Sequence, residues 1–313
     1  MRVAVQMDPI DTLLVPRDTS LALMLEAQSR GHEVWWLHPD DLFFDKGVVR
    51  AAAKRVEVAD KEGAHYKQIE AKTVPLSHFD AVLIRQDPPF DMGYVSNTYL
   101  LELAANDTLV LNNPRGVRNI PEKLSTLAFP QLIAATFVGR NVEAIVEFSR
   151  AFDQVVLKPS FLAGGDGVIK LDPAEIDFEH RVRDFIRGVA KEPIIVQEYL
   201  PAVMQGDKRV FVLDGQPVGV VRRMPRGGDF RANLHVGGEA VAGEPDARDR
   251  EICAAVAPLL AREGILFAGL DVIDGRLTEI NVTSPTLVRE LERFSGISVP
   301  KLFWDAVERK INR

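Results

Sequence analysis

The sequence predicts a chain of α/β and α+β units in several domains, beginning with an open, mainly parallel sheet. Three observations carry that expectation. At 313 residues the chain exceeds what one hydrophobic core usually organises, with roughly 150 residues per domain as the guide. Within residues 1–119, short apolar runs at 3–7, 33–37, 81–85 and 109–111 alternate with helical or loop segments, the pattern of a parallel sheet covered on both faces. Beyond residue 200, paired apolar runs flank Asp214-Gly215 and Asp274-Gly275, and Asp-Gly between strands is the strongest short-range hairpin signal. The changes of pattern divide the chain into an N-terminal domain (1–119), a central domain (120–200) and a C-terminal domain (201–313).

Taken in order, the first strand opens into the loop Met7-Asp8-Pro9, and Asp18-Thr19-Ser20 caps a helix with Leu21, Ala22 and Leu25 as apolar positions and Gly31 as its stop. A later strand ends in Arg85-Gln86-Asp87-Pro88-Pro89-Phe90. Ligands gather at strand ends in open α/β sheets, and Arg85 there suits a carboxylate. In the central domain a helix starting at Pro121 carries Lys123, a second helix covers 141–150, and a strand over 154–158 ends at Lys158. It runs into Pro159-Ser160-Phe161-Leu162-Ala163-Gly164-Gly165-Asp166-Gly167, where Gly164 and Gly165 let backbone N–H groups approach phosphate oxygens. This segment lacks the Gly-Lys-Ser/Thr ending of a Walker loop, and taken by itself it fits a plain hairpin better. A strand over 193–196 leads to Gln197-Glu198-Tyr199-Leu200, which can present backbone groups and a carboxylate to an adenine and ribose.

In the C-terminal domain, strands over 208–213 and 216–221 form a hairpin. Residues 224–239 are glycine-rich, carry Arg226, Arg231, Asn233 and His235, and have no periodicity, as expected of a lid that meets phosphate or carboxylate on closing. A helix over 246–263, bent at Pro258, precedes a second hairpin, and helices from Val288 and Pro300 end the chain. The second hairpin concentrates the chemistry. A three-residue loop, Ile273-Asp274-Gly275, pairs Asp271 with Leu277; Leu270, Val272, Thr278 and Ile280 then face the core while Asp271, Glu279 and Asn281 converge on the other side. Two carboxylates and an amide oxygen form a hard ligand set suited to Mg²⁺, or to Mn²⁺, bridging to phosphates. The same spacing also fits an acidic, solvent-facing side of an ordinary hairpin. Because these side chains lie off the core face, replacing Asp271 or Glu279 is expected to leave the fold intact.

Composition narrows the function. A formal net charge of −7 offers no basic field to nucleic acid or to anionic membrane, so neither is expected as a partner and an anionic ligand must be met locally. Met1-Arg2 leads straight into the first strand without a signal-peptide pattern, and no apolar run approaches a membrane span, which predicts a cytoplasmic protein. The single cysteine, Cys253, excludes an internal disulfide. Its helical pattern with Ile252, Val256, Leu259 and Leu260 makes it a buried thiol.

Several of these stretches together resemble the prokaryotic glutathione synthetase family of the ATP-grasp superfamily: Met7-Asp8-Pro9-Ile10, Asp87-Pro88-Pro89-Phe90, Gly206-Asp207-Lys208-Arg209-Val210, Arg231-Ala232-Asn233-Leu234, and most specifically Leu277-Thr278-Glu279-Ile280-Asn281-Val282-Thr283-Ser284-Pro285-Thr286. The resemblance covers essentially the whole chain. It implies ATP-grasp architecture behind the N-terminal sheet domain, a homo-oligomer, and a ligase that joins γ-glutamylcysteine to glycine while ATP becomes ADP and phosphate. It also implies that Lys123 and Lys158 contact ATP, with Gln197, Glu198, Tyr199 and Leu200 on the adenine side, and that Asp271, Glu279 and Asn281 hold Mg²⁺. Arg223, Arg231 and Asn233 match polar residues near the transferred phosphoryl group, Asp207 and Arg209 match a nearby pair, and Arg85, Ser284, Pro285 and Thr286 match the dipeptide side.

The chain departs from the family pattern Lys-Pro-Leu-x-Gly-x-Gly-Gly after Lys158, where Leu162 stands in place of the first glycine and removes its φ > 0 freedom. Phe161 and Leu162 are expected to pack against the lid or the domain below. The implied mechanism phosphorylates the acceptor carboxylate and lets the glycine amine attack the acyl phosphate, with no covalent enzyme intermediate. Two rivals stand beside it: another ATP-grasp ligase with a different acid or amine, and a nucleotide-binding regulatory protein without turnover.

Overall fold

The computed structural model describes residues 1–189 and 191–312, with His235 described by its backbone alone. The N-terminal part consists of β1 (Arg2–Gln6), α1 (Thr19–Ser29), β2 (Glu33–Leu37), β3 (Leu42–Asp45), β4 (Val48–Val58), β5 (Tyr66–Pro75), β6 (Ala81–Ile84), α2 (Met92–Ala104), β7 (Leu109–Leu111) and α3 (Pro114–Asn119). Asp18 caps α1 as its position predicts, its carboxylate accepting from the Leu21 N–H at 2.6 Å. The strands form one seven-stranded sheet in the order β3-β4-β2-β1-β6-β7, with β5 on β4.

This sheet is mixed rather than mainly parallel. Strands β1, β2, β6 and β7 pair in parallel, while β3, β4 and β5 add an antiparallel meander beside β2. The meander escapes sequence reading because charged residues interrupt it. In β5 (YKQIEAKTVP) only Val74 is buried, so the strand has no continuous apolar run.

The central part consists of β8 (Thr136–Gly139), α4 (Val142–Ser149), β9 (Val155–Pro159), β10 (Ile169–Leu171), α5 (Phe178–Gly188) and β11 (Ile194–Glu198), its sheet running β10-β9-β11-β8 with every pairing antiparallel. The expected helix from Pro121 is instead a 3-10 turn over Leu124–Ala128. The hydroxyls of Ser125 and Thr126 donate to the carbonyls of Pro121 and Lys123 at 2.9 and 2.6 Å, competing for the acceptors that an α-helix would use.

The C-terminal part consists of β12 (Asp207–Leu213), β13 (Gln216–Met224), β14 (Glu239–Gly243), α6 (Ala247–Arg262), β15 (Phe267–Ile273), β16 (Arg276–Asn281), α7 (Val288–Ser295) and α8 (Val299–Ile311). Its five strands run β14-β13-β12-β15-β16, all antiparallel. Asp246 and Asp249 form a reciprocal capping box at the start of α6.

Burial shows how these sheets are combined. One apolar cluster joins Ala4, Trp35 and Val110 to Val210, Ile252 and Leu270, and another joins Val3, Leu21 and Leu83 to Phe211, Leu287 and Trp304. The first and third sheets thus share their cores. Asn112 ties the joint: its amide nitrogen donates to the carbonyls of Phe267 and Val282, and its oxygen accepts from the N–H groups of Leu266 and Phe267, all within 2.7–3.0 Å. The central sheet instead packs on a core of its own, with Ile145, Leu157, Phe178, Val182 and Val196.

Candidate active site

The hairpin of β15 and β16 differs from the sequence reading in one detail that leaves the acids together. Its turn has two residues, not three: Ile273 pairs with Arg276, and Asp274 and Gly275 both take positive φ, 49° and 68°. The extra residue is a bulge at Thr278, so that Val272 faces Leu277 while Asp271 faces Glu279. Leu277, not Thr278, is therefore the core residue, and Thr278 turns to the site with its hydroxyl 3.1 Å from the Asp271 carbonyl. Asn281, opposite Gly269, donates its amide nitrogen to the Gly269 carbonyl at 3.3 Å, which leaves its oxygen as the atom it can offer.

Asp271 is buried and held by two arginines. Arg209 grips it with Nε at 2.5 Å and Nη2 at 2.9 Å, and Arg223 adds Nη2 at 2.8 Å. Arg223 also forks onto Asp207 at 2.7 and 2.6 Å. Burial opposes ionisation of Asp271, but the two guanidinium groups outweigh it and hold the carboxyl well below the usual carboxylate range. The bare backbone of Gly269 makes room for this arrangement, since a Cβ there would lie 2.7 Å from Cδ of Arg209. Two positive and two negative charges cancel within the network, so Arg209 and Arg223 keep an acid ionised in a buried place. Asp271 is 2% exposed and paired with both Arg209 and Arg223, so it is not the solvent-side acid that the face pattern implied, and its replacement is expected to cost stability.

Two lysines supply positive charge nearby. Lys158 donates to Oε1 of Gln197 at 2.8 Å, and burial of its ammonium pushes it down to about 8 despite the charge of Glu279. Lys123 is buried, lies 3.6 Å from Oε1 of Glu279 and bonds the Leu162 carbonyl. Glu122, which sequence reading missed, accepts from the Thr283 hydroxyl at 2.9 Å. Burial and then the charge of Glu279 push its carboxyl up to about 7. The only signal in the sequence was its place beside Lys123.

A cleft of about 690 Å³, open mouth included, lies between the central and C-terminal sheets; Lys123 and Asn281 are not among the residues that line it. Lys158, Gly165, Gln197, Glu198, Tyr199, Leu200, Asp207, Arg223, Arg231, Asn233, Asp271 and Glu279 all border it, a concentration of the expected residues in one place. Arg209 adjoins it through Asp271, and Gly164 sits in the turn after Leu162 with φ 66°. The stretch read as a lid lies over the cleft. Its Arg231 pairs with Asp229 at 2.7 Å and donates to the Gly165 carbonyl at 3.2 Å. Gly238 folds so tightly under the lid that a Cβ there would come within 2.1 Å of the Ala232 carbonyl.

The remaining expected residues form a second cluster. Arg85 is buried, donates to Ser20 Oγ at 3.0 Å and to the Pro285 carbonyl at 3.1 Å, and has Nη1 without a partner among the described residues. Ser284 donates to Asp87 at 2.5 Å, and Asp8 accepts from the Asp87 N–H at 2.8 Å, joining both strand-end loops of the first sheet. Thr286 is exposed. Phe161 stacks on Phe90, 6.3 Å between centroids, whereas Leu162 is 42% exposed.

Comparison with known proteins agrees with this architecture. A model of the prokaryotic glutathione synthetase N-terminal domain matches residues 1–118, and one of the prokaryotic glutathione synthetase ATP-grasp domain matches residues 122–296. Glutathione synthetase of Brucella melitensis biotype 1 is 44% identical over 310 residues, covering 99% of both chains. That of Vibrio cholerae is 38% identical over 313 residues, covering 99% of this chain and 98% of its own. Among solved structures, D-cycloserine synthetase DcsG superposes with a TM-score of 0.66 at 19% identity, covering 99% of this chain and 100% of that one. D-alanyl-alanine synthetase A from Vibrio cholerae does so at 0.63 and 11%, covering 100% and 99%. The mixed-sheet architecture is thus that of ATP-grasp ligases, and the chain belongs to the prokaryotic glutathione synthetase family.

Proposed function

We propose that the chain makes glutathione from γ-glutamylcysteine and glycine, with ATP converted to ADP and phosphate. The observation that carries this reading is the 44% identity to a glutathione synthetase over 99% of both chains, combined with a cleft whose lining holds both apolar and charged side chains. The chain is an ATP-dependent carboxylate-amine ligase. Val156, Val168, Tyr199 and Leu200 suit a base, while Lys158, Arg231 and Gly165 suit phosphates. The donor set fits Mg²⁺, because Asp271 stays ionised though buried and faces Glu279 across the hairpin, with Asn281 beside them. Asp271, Glu279 and Asn281 would hold that ion, and its chemistry there would be to offset phosphate charge.

The chain's own residues then do the following. Lys158 and Lys123 hold the phosphate chain by charge, and Arg231 brings the lid down on it. The carboxylate of γ-glutamylcysteine takes the γ-phosphoryl group, ADP departs, and the glycine amine displaces phosphate from the acyl phosphate. The free Nη1 of Arg85 suits a carboxylate of the dipeptide, with Ser284 and Pro285 at its side and Thr286 at the opening. The closed lid keeps water from the acyl phosphate. We place the reaction in the cytoplasm, which supplies ATP; among the described residues no helix is long and apolar enough to cross a membrane. We also assign the three sheets to three domains meeting near residues 119 and 200, and a homo-oligomeric state.

The test is ADP release in the presence of γ-glutamylcysteine with and without glycine, with the product identified by mass. Glycine-dependent release and a product of glutathione mass support the reading. Turnover only with another acid or amine would replace the substrates, and no turnover with intact ADP binding would favour a regulatory protein.

A further inference from the structure

The lid carries an aromatic ring, Phe230, into the cleft. Phe230 stands edge-to-face against Tyr199, centroids 6.0 Å apart and planes at 85°. Lys170 of β10 places its ammonium 4.5 Å from the Tyr199 centroid and 5.8 Å from that of Phe230. The three residues come from three places: a strand of the central sheet, the segment after β11, and the lid. Their neighbours in the cleft wall, Val156, Val168, Leu200 and Val203, are apolar. One residue further along the lid, Arg231 reaches the Gly165 carbonyl of the glycine-rich segment. Adjacent residues of the lid therefore touch Tyr199 and the glycine-rich segment.

A purine base has a flat, polarisable face that gains from contact with an aromatic ring, and such contacts add about 0.5–1.5 kcal/mol beyond area burial in aromatic pairs. Lys170 over the Tyr199 ring fixes that wall by a cation–π contact before any base arrives. We propose that Phe230 is a nucleotide-positioning residue: the closing lid lays this ring on the base of a purine nucleotide, so that closure reads the base as well as the phosphates. The inference rests on the nucleotide reading of the cleft given above. It makes Phe230 the lid's sensor of the base and Arg231 its sensor of the phosphates.

The experiment titrates ADP and, separately, inorganic tripolyphosphate into the full chain and into Phe230→Ala, Phe230→Leu and Phe230→Tyr, with heat as the readout. Tripolyphosphate carries the charge without the base. The expected result is that Phe230→Ala weakens ADP roughly ten-fold and leaves tripolyphosphate within about two-fold, that Phe230→Leu is intermediate, and that Phe230→Tyr keeps ADP affinity. In turnover the ATP KM rises in Phe230→Ala while the KM values for acid and amine stay. Unchanged ADP affinity in Phe230→Ala would overturn the proposal, as would equal weakening of both ligands, which marks a general loss of lid order. Tighter ADP binding would overturn it too, by showing that the ring obstructs the cleft. A wild-type chain that binds neither ligand would contradict the nucleotide reading itself; wild-type binding with an indifferent Phe230 would contradict only this inference.

Discussion

At the scale of single residues, the site is a set of charges made tolerable by their neighbours. Glu279 is half-buried and its nearest cation, Lys123, stands 3.6 Å away, so Glu279→Gln removes a charge without orphaning a tight partner. It should cut turnover about 100-fold or more while the melting temperature moves by only about 2 °C. Asp271→Asn should also lose turnover, but with a stability loss of about 3 kcal/mol in denaturant titration, because Arg209 and Arg223 are left short of a buried counter-charge. Lys158 predicts a pH dependence. Burial lowers its folded value to about 8 from 10.5, with Lys123 acting in the same direction and Glu279 and Asp271 against it. The unfolded chain thus holds the proton more tightly. The cost of burying the charge is fully present below pH 8 and disappears as pH rises from 8 toward 10.5. Lys158→Met should therefore be more stable than wild type by roughly 1–3 kcal/mol at pH 7, with the difference shrinking toward pH 10, and should bind ADP more weakly at pH 7. Melts at the two pH values and an ADP titration check both halves. Glu279 and Asn281 were legible as a pair, since residues two apart share a strand face, whereas Asp271 joins them through a two-residue turn and a bulge in place of the expected three-residue loop. Their partnerships were not: that Arg209 and Arg223 point at Asp271 depends on β12 lying between β13 and β15, a non-local pairing that no spacing reveals.

At the scale of elements, the hairpin of β15 and β16 shows how local signals succeed and fall short together. Asp274-Gly275 marks the turn correctly, yet the face of Glu279 depends on the bulge at Thr278, which leaves no mark in the residue pattern. The strand β5 and the charged helix α5 went unread for the related reason that one-sided burial leaves few apolar residues in sequence. The Phe161 segment makes a kinetic prediction. Its ring stacks on Phe90 across two sheets, so Phe161→Ala should loosen that contact and raise the ATP KM about ten-fold, whereas Leu162→Gly, at an exposed position, should change it by less than about three-fold. A large effect of Leu162→Gly with none of Phe161→Ala would reverse this assignment. The lid, held by Arg231 on Gly165, should be cut by protease about ten-fold more slowly when ADP and γ-glutamylcysteine are both present. Equal cleavage would make it an ordinary surface loop.

At the scale of the whole molecule, two sheets share their cores while the central sheet keeps its own, so the cleft lies between a large body and a smaller one. Asn112 pins the large body, and Asn112→Leu, which orphans four buried backbone groups, should cost about 3 kcal/mol or more in denaturant titration. The central claim concerns what this cleft joins. Its most direct test is ADP release by the purified chain with γ-glutamylcysteine, ATP and Mg²⁺, run with and without glycine and followed by mass detection of the product. Glutathione synthesis requires release that depends on glycine and a product with the mass of glutathione; ADP release indifferent to glycine, or a product of any other mass, rules it out.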